Sequence, residues 1–267
     1  HDHHSAVPKL VCHYCGYTEP FIKKCKVCGS GMIGRFGSGT QMVEAELQEF
    51  FPEARILRMD ADTTKGKDGH ERILSAFAEG KADILVGTQM IVKGHDFPNV
   101  TLVGILAADL SLHSQDYMAG ERTFELLTQA AGRAGRGERP GQVVIQTYDP
   151  EHAVIRAAAA QDYELFYRNE ITYRKILKYP PVVSMIAVLI TGEQEEQVQK
   201  CAEHLADYMR TTVPGEVIRV IGPSTPVIGK IHDVYRRILY LKSEQEQALL
   251  DAKVQLFGDK RLFTSYH

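Results

Sequence analysis

Asp83-Ile84-Leu85-Val86-Gly87-Thr88 is a short apolar run closed by a glycine and a threonine. A run of this length, rich in aliphatic and β-branched side chains, reads as a strand buried on both faces. Three more segments read the same way: Ile56-Leu57-Arg58-Met59, Thr101 to Leu106, and Gln142 to Tyr148. Between them lie runs with helical spacing, Gln41 to Phe51, Glu71 to Phe77 and Tyr117 to Ala131. Alternating strands and helices predict an α/β domain, a parallel sheet with helices on both faces. In such sheets ligands gather beyond the carboxyl ends of the strands.

Three groups of polar residues are expected at those ends. Gly87-Thr88-Gln89-Met90 directly follows a strand, and Lys93-Gly94-His95-Asp96 comes a few residues later. Thr88 offers a hydroxyl, Lys93 a cation and Asp96 an acceptor suited to a ribose hydroxyl. Taken singly, these are also an ordinary cap, a solvated charge and a turn residue. The third group is Gln129-Ala130-Ala131-Gly132-Arg133-Ala134-Gly135-Arg136. Its two arginines sit three apart among small residues, and the arginine fork grips phosphate at two points. Gly132 and Gly135 let the backbone turn and come close to a ligand. A basic helix end balancing the macrodipole is the plainer alternative. Together the three groups point to a phosphate-rich ligand. A fourth element, Gly37-Ser38-Gly39-Thr40, precedes the first helix, where a serine or threonine caps the helix and bare amides favour an anion. The next strand delivers Asp60 and Asp62 to its following loop. No G-x-x-x-x-G-K-[ST] occurs in the 267 residues, so this sheet supplies arginines and a ribose contact without a phosphate cradle. It reads as half of a nucleotide site, with the arginine presented from a second lobe.

Residues 1 to about 35 are loop-rich and carry Cys12-x2-Cys15-x9-Cys25-x2-Cys28. Each C-x-x-C pair aims two thiolates at one point, and two pairs suit tetrahedral zinc. Whether both pairs share one ion is left open by the spacing. Lys9, Lys23, Lys24, Lys26 and Arg35 give this segment a local positive excess, although the whole chain has a net charge of -3. No apolar run reaches the roughly 18 residues of a membrane span. Residues 151 to 178 read as one helical connector, with Tyr163, Phe166, Tyr167 and Tyr173 as packing residues. Tyr179-Pro180-Pro181 marks a boundary. Beyond it, strand, helix, strand, hairpin and helix predict an α+β domain with its sheet on one side and its helices on the other. Cys201 reads as a core filler. Lys230, His232, Arg236 and Arg237 gather near the hairpin, as a solvated rim or as phosphate contacts. The expected domains are therefore 1–35, 36–150, 151–180 and 181–267.

The motifs carry a resemblance. Gln129 to Arg136 matches the last signature of superfamily 2 helicases, Q-x-x-G-R-x-G-R. Gly87-Thr88-Gln89-Met90 with Lys93-Gly94-His95-Asp96-Phe97-Pro98 resembles the preceding motif in the primosomal replication-restart branch, the PriA family, and the cysteine pairs are similar to that family's too. The resemblance implies a RecA-like second helicase lobe with a zinc-knuckle segment and an α+β carboxyl-terminal DNA-binding domain. It implies an ATP-dependent 3'-5' DNA helicase of the bacterial cytoplasm that binds branched and single-stranded DNA and reloads the replisome. Single-strand DNA-binding protein, primosome and helicase-loader proteins are the implied partners. The implied cofactors are Zn²⁺, with ATP and Mg²⁺ bound mainly through a first lobe expected upstream, so this stretch alone is expected to be inactive as an ATPase. By the same resemblance Arg136 is the arginine finger and Arg133 a second γ-phosphate contact. Gln129 and Gly132 lie at the nucleotide, with Gly94 and Asp96 on its ribose side. Gly37, Ser38, Gly39, Thr40, Thr88, Lys93, Lys230 and Arg236 are the implied DNA contacts, and Cys12, Cys15, Cys25 and Cys28 the metal ligands. In the family, Cys12 with Cys15 and Cys25 with Cys28 serve different zinc ions. Met118 stands where the family tends to carry an arginine. The alternatives are a zinc-bearing nucleic-acid-binding module without a motor, and another superfamily 2 translocase.

Overall fold

The computed structural model describes residues 9–11, 18–20, 24, 28–30, 39–60, 62–64, 68–92, 97–114, 116–135 and 140–258. The chain divides into two compact units, residues 34–170 and residues 1–33 together with 171–267.

The first unit alternates helix and strand. Its elements are α1 (Thr40–Phe50), β3 (Ile56–Met59), α2 (Gly69–Ala78), β4 (Ile84–Gly87), β5 (Leu102–Ile105), α3 (Asp109–Leu112), α4 (Ala119–Ala131), β6 (Gln142–Ile145) and α5 (Ala153–Ala159), followed by the start of α6 (Tyr163–Leu177). Strands β3 and β4 pair in parallel, with Ile56 opposite Ile84 and Met59 opposite Gly87. Strands β5 and β6 pair in parallel, with Leu102 opposite Gln142 and Ile105 opposite Ile145. The expected parallel pairing is present, but as two two-stranded sheets rather than one. Apolar runs disclose a strand, whereas pairing depends on backbone groups that carry no sequence signal; nor are all four strands buried on both faces as expected, since β5 and β6 leave one face exposed through Leu102 and Val144.

Alternation along β3 puts a helix on each face of its pair. Leu57 and Met59 face Ile73 and Leu74 of α2 in one core, joined by Phe97, whose ring meets Phe77 edge-on at 5.1 Å. Arg58 faces the other way, to Glu44 of α1 at 3.2 Å. A second core joins α4, α5 and α6 through Phe124, Leu127, Val154, Ala157 and Phe166, with the Phe124 and Phe166 rings stacked at 4.3 Å. Residues 151–170 thus pack with this unit.

Two expectations for the connector are corrected. The segment forms two helices, not one, because Gln161 takes a left-handed φ of 53° and Asp162 restarts the helix by accepting the Leu165 N–H at 2.9 Å. Of its four aromatics only Phe166 is buried; Tyr163, Tyr167 and Tyr173 are exposed.

The second unit contains β1 (Lys9–Val11) and β2 (Thr18–Pro20), an antiparallel pair. Its main body is β7 (Ser184–Gly192), α7 (Glu195–Thr212), β8 (Arg219–Ser224), β9 (Lys230–Ile231), β10 (Val234–Ser243) and α8 (Glu246–Gly258). Strand β10 is central and antiparallel to β7, β8 and β9. The α7 crossover therefore joins two strands that flank a third, a split β-α-β arrangement. Leu205 and Met209 of α7, Leu239 and Leu241 of β10, and Leu249 and Leu256 of α8 share one core. Cys201 lies in it, as expected of a small apolar filler, and burial raises its thiol pKa. The sheet-and-helices layering matches the sequence expectation. Among the described residues no helix is long and apolar enough to cross a membrane.

Leu241 is fully buried, whereas Leu250 of α8 is 45% exposed. Leu241→Ala should cost about 3 kcal/mol of the second unit's stability and Leu250→Ala under about 0.5 kcal/mol, read by chemical denaturation.

Candidate functional site

The two parallel pairs create two different ends. At the carboxyl end of β3–β4, Asp60 follows β3 and Thr88 follows β4. Thr88 is exposed, and its carbonyl accepts the Ile91 N–H at 3.1 Å, opening the 3-10 turn Gln89–Val92. Asp60 is buried and points back at the start of α1, where Thr40 Oγ1 donates to its Oδ2 at 2.5 Å. The Asp62 and Thr63 amides donate to Oδ1 at 3.0 and 2.9 Å. Arg58 Nε lies 3.1 Å from Oδ2 but is poorly directed, so that contact is coulombic rather than a hydrogen bond. The Thr40 hydroxyl first, then the loop amides and Arg58, hold the Asp60 carboxyl at a pKa of about 2.

This geometry revises the reading of Gly37-Ser38-Gly39-Thr40. The helix N-cap is Gly39, with no side-chain cap, and the Thr40 hydroxyl proton is committed to Asp60. What the start of α1 offers an anion is backbone N–H, beside a carboxylate that stays ionised down to about pH 2. Gly37 and Ser38 lie outside the described residues, as do Lys93, Gly94, His95 and Asp96.

The arginine stretch sits elsewhere. Gln129 is exposed on the last turn of α4, and Gly132 closes the helix by donating to Thr128 O at 2.9 Å. The chain then tightens, with the Arg133 and Ala134 amides donating to the carbonyls of Ala130 and Ala131. Arg133 is half-buried. Gly135, at φ +73°, donates its N–H to Val100 O at 3.0 Å. Val100 precedes β5, so this loop lies at the amino end of β5–β6. The expectation that the arginines join Thr88 at carboxyl ends is thereby corrected. Parallel strands require a crossover: α4 returns the chain to where β6 begins, and its last turn must lie there. Arg136 lies outside the described residues, one position past Gly135.

Sequence reasoning missed Asp109. It is buried beyond the carboxyl end of β5, accepts Thr147 Oγ1 at 2.7 Å and the Tyr148 N–H at 3.0 Å, and so ties the ends of β5 and β6 together. The Thr147 hydroxyl is the main cause of its lowered pKa. The signal was its place just past a strand, where Asp60 also stands.

Lys230 and Arg236 belong to the other unit. Lys230 Nζ is 2.8 Å from Asp233 Oδ1 and 4.6 Å from the centre of the Tyr235 ring. Arg236 donates to Ile228 O at 3.3 Å. Both stabilise their own hairpin. Arg237 turns to α7 instead, donating to Gln199 and to Glu195. Of the cysteine pairs, only Cys28 is among the described residues, where it is exposed; Cys12, Cys15 and Cys25 lie outside them. No cluster of three or more metal-ligating side chains occurs among the described residues.

Comparison with known proteins fits this division. The model described as the Helicase conserved C-terminal domain matches residues 32–138. The model described as the Primosomal protein N C-terminal domain matches residues 175–260. The Replication restart protein PriA of Bacillus subtilis (strain 168) is 48% identical over 247 residues, 92% of this chain and 31% of that protein. The chain belongs to the PriA family. The PriA protein of Synechocystis sp. is 43% identical over 235 residues, 88% of this chain and 28% of the relative. That of Treponema pallidum is 38% identical over 241 residues, 90% and 36%. The chain thus spans about a third of the length of the PriA relatives it matches. The helicase match ends three residues past Gly135, and the primosomal match begins inside α6.

The Asp60 carboxyl is held below its usual 3.8 in the folded chain, so its contribution to stability is present above about pH 4 and is lost as pH falls toward about 2. Asp60→Asn should flatten that acid limb, and Thr40→Val should move it to higher pH, both read by thermal melts across pH 2 to 5.

Proposed function

We propose that these domains form part of an ATP-dependent DNA helicase of replication restart, acting on branched DNA at stalled forks. The carrying observation is the arginine loop, Gln129 to Gly135, fixed to the backbone at the amino end of β5–β6. In this reading Arg136 reaches the γ-phosphate of ATP as an arginine finger, Arg133 makes a second phosphate contact, and Gln129, Gly132, Gly94 and Asp96 line the nucleotide. Charge of this kind stabilises a phosphoryl group in transfer. The phosphate cradle and the Mg²⁺ ligands come from a first motor lobe, so the present residues supply charge and closure but no nucleophile.

DNA takes the other end. The amides at the start of α1, with Thr88 and Lys93, meet the DNA backbone at the carboxyl end of β3–β4. Asp60 holds that helix start through the Thr40 hydroxyl. The second unit adds phosphate contacts through Lys230 and Arg236, whose present partners are a solvent-exposed carboxylate and a carbonyl that phosphate can displace or share. Cys12, Cys15, Cys25 and Cys28 hold Zn²⁺ as thiolates and stabilise the segment around β1 and β2. The protein acts in the bacterial cytoplasm with 3'-5' polarity, alongside single-strand DNA-binding protein, primosome proteins and a helicase loader.

The intact protein carrying these domains should hydrolyse ATP when fork DNA is added, and Arg136→Ala should lower turnover by about 10³ with fork binding preserved. Unchanged turnover would remove the arginine from the reaction. The isolated 267-residue chain should bind fork DNA without hydrolysing ATP. Cys12→Ser should lower the zinc measured per chain by atomic emission.

A further inference from the structure

Gly135 and Gly141 touch backbone to backbone, although neither contact is a strand pairing. A Cβ added at Gly135 would lie 2.5 Å from Gly141 N and 2.9 Å from its Cα. A Cβ added at Gly141 would drive into the backbone of Ala134 and Gly135 and lie 2.7 Å from Ala134 Cβ. The obstructing atoms are mostly main chain, which cannot rotate aside. Gly135 also has a left-handed φ, so its own role is conformational as well as steric. Gly141 has no such φ, and the space it leaves is its distinguishing contribution. It precedes β6, whose first amide, Gln142 N, donates to Thr101 O at 2.8 Å, next to the Val100 carbonyl that holds Gly135. The end of α4 is therefore held beside the start of β5 by the Gly135 hydrogen bond to Val100, and lies against the start of β6 through the close approach of Ala134 and Gly135 to Gly141.

We infer that Gly141 is a positioning residue for the arginine stretch: its bare α-carbon lets Arg133-Ala134-Gly135 lie against the start of β6 and so sets where Arg133 stands and from where the chain runs on to Arg136. This rests on the proposed role of those arginines in ATP hydrolysis. A methyl group at 141 must lift the loop by about an ångström, a displacement over which catalytic geometry is lost.

The test uses the intact protein and fork-DNA-stimulated ATP hydrolysis, with Arg136→Ala, Gly141→Ala, Gly104→Ala, Ala134→Gly and the pair Gly141→Ala with Ala134→Gly assayed together. Gly104 lies in β5 with open space where a Cβ would go, so its alanine variant reports the effect of a methyl without a clash. Gly141→Ala should lower kcat at least about tenfold while KM for ATP and fork affinity stay within about threefold. The pair should recover part of that loss relative to Ala134→Gly alone, because one obstructing methyl is gone. If Arg136→Ala collapses hydrolysis and Gly141→Ala does not, the inference is overturned and the arginine reading stands. If Arg136→Ala is active, the arginine reading falls and the inference with it. A melting temperature driven below the assay temperature in both Gly141 variants, or no recovery in the pair, overturns positioning in favour of a purely structural glycine.

Discussion

Parallel pairing is the constraint on which the first unit depends. Two parallel strands cannot be joined by a turn, so a helix must carry the chain from the carboxyl end of one strand to the amino end of the next. Helix α2 does this between β3 and β4, and α3 with α4 between β5 and β6. Every polar group then has a fixed address. Residues that follow a strand, Asp60, Thr88 and Asp109, stand at carboxyl ends. Residues that close a crossover helix, Arg133 to Gly135, stand at an amino end. Which end of its own strand pair each proposed contact occupies follows from connectivity before any side chain is considered.

The electrostatics act within that frame. Asp60 and Asp109 are the buried acidic groups among the described residues of this unit, and each is satisfied by a threonine hydroxyl and by loop amides. Burial alone would favour the protonated acids; these hydrogen bonds go to the charged form and reverse the balance, so both pKa values fall. The two carboxylates therefore organise loops rather than present charge to a ligand. Asp60 fixes the start of α1 from below, and the amides of that helix remain the groups available to an anion. An ionised carboxylate so close repels any anion there, so a phosphate at this end must be held in place by other contacts along a polymer.

Much of this was legible in the sequence, for identifiable reasons. The strands Ile56–Met59 and Ile84–Gly87 are runs of large apolar groups that cannot stay in water, and each occurs where the run predicts. The glycine-arginine stretch was legible because it pairs permissive backbone with charge. Strand partnership was not, since it rests on main-chain groups alike in every residue. The break at Gln161 was hidden because a run of alanines reads as helix, while the Asp162 cap that restarts the chain is also common on helix surfaces. The exposed Tyr163, Tyr167 and Tyr173 show that aromatic spacing marks a helix without saying how many faces are covered. Gly141 was invisible for a different reason: its contribution is an absent atom, and its partner Gly135 is recognised only in space.

Register and arginine placement are consequences of one set of hydrogen bonds. Two consecutive carbonyls, Val100 and Thr101, receive the Gly135 and Gln142 amides at 3.0 and 2.8 Å. The first fixes the loop and the second begins the β5–β6 ladder. A slip of one residue between these strands would carry Gln142, and the glycine before it, about 3.3 Å along β5. It would also turn Val143 and Ile145 from the core face to the exposed face now held by Val144, which burial of Ile145 against α4 and α5 forbids. The apolar packing that chooses the register thus chooses the height of Gly141, and Gly141 chooses how closely Arg133 to Gly135 can approach. The place of Arg133 is thereby tied to the core of the domain, through a contact made by backbone and the single methyl of Ala134.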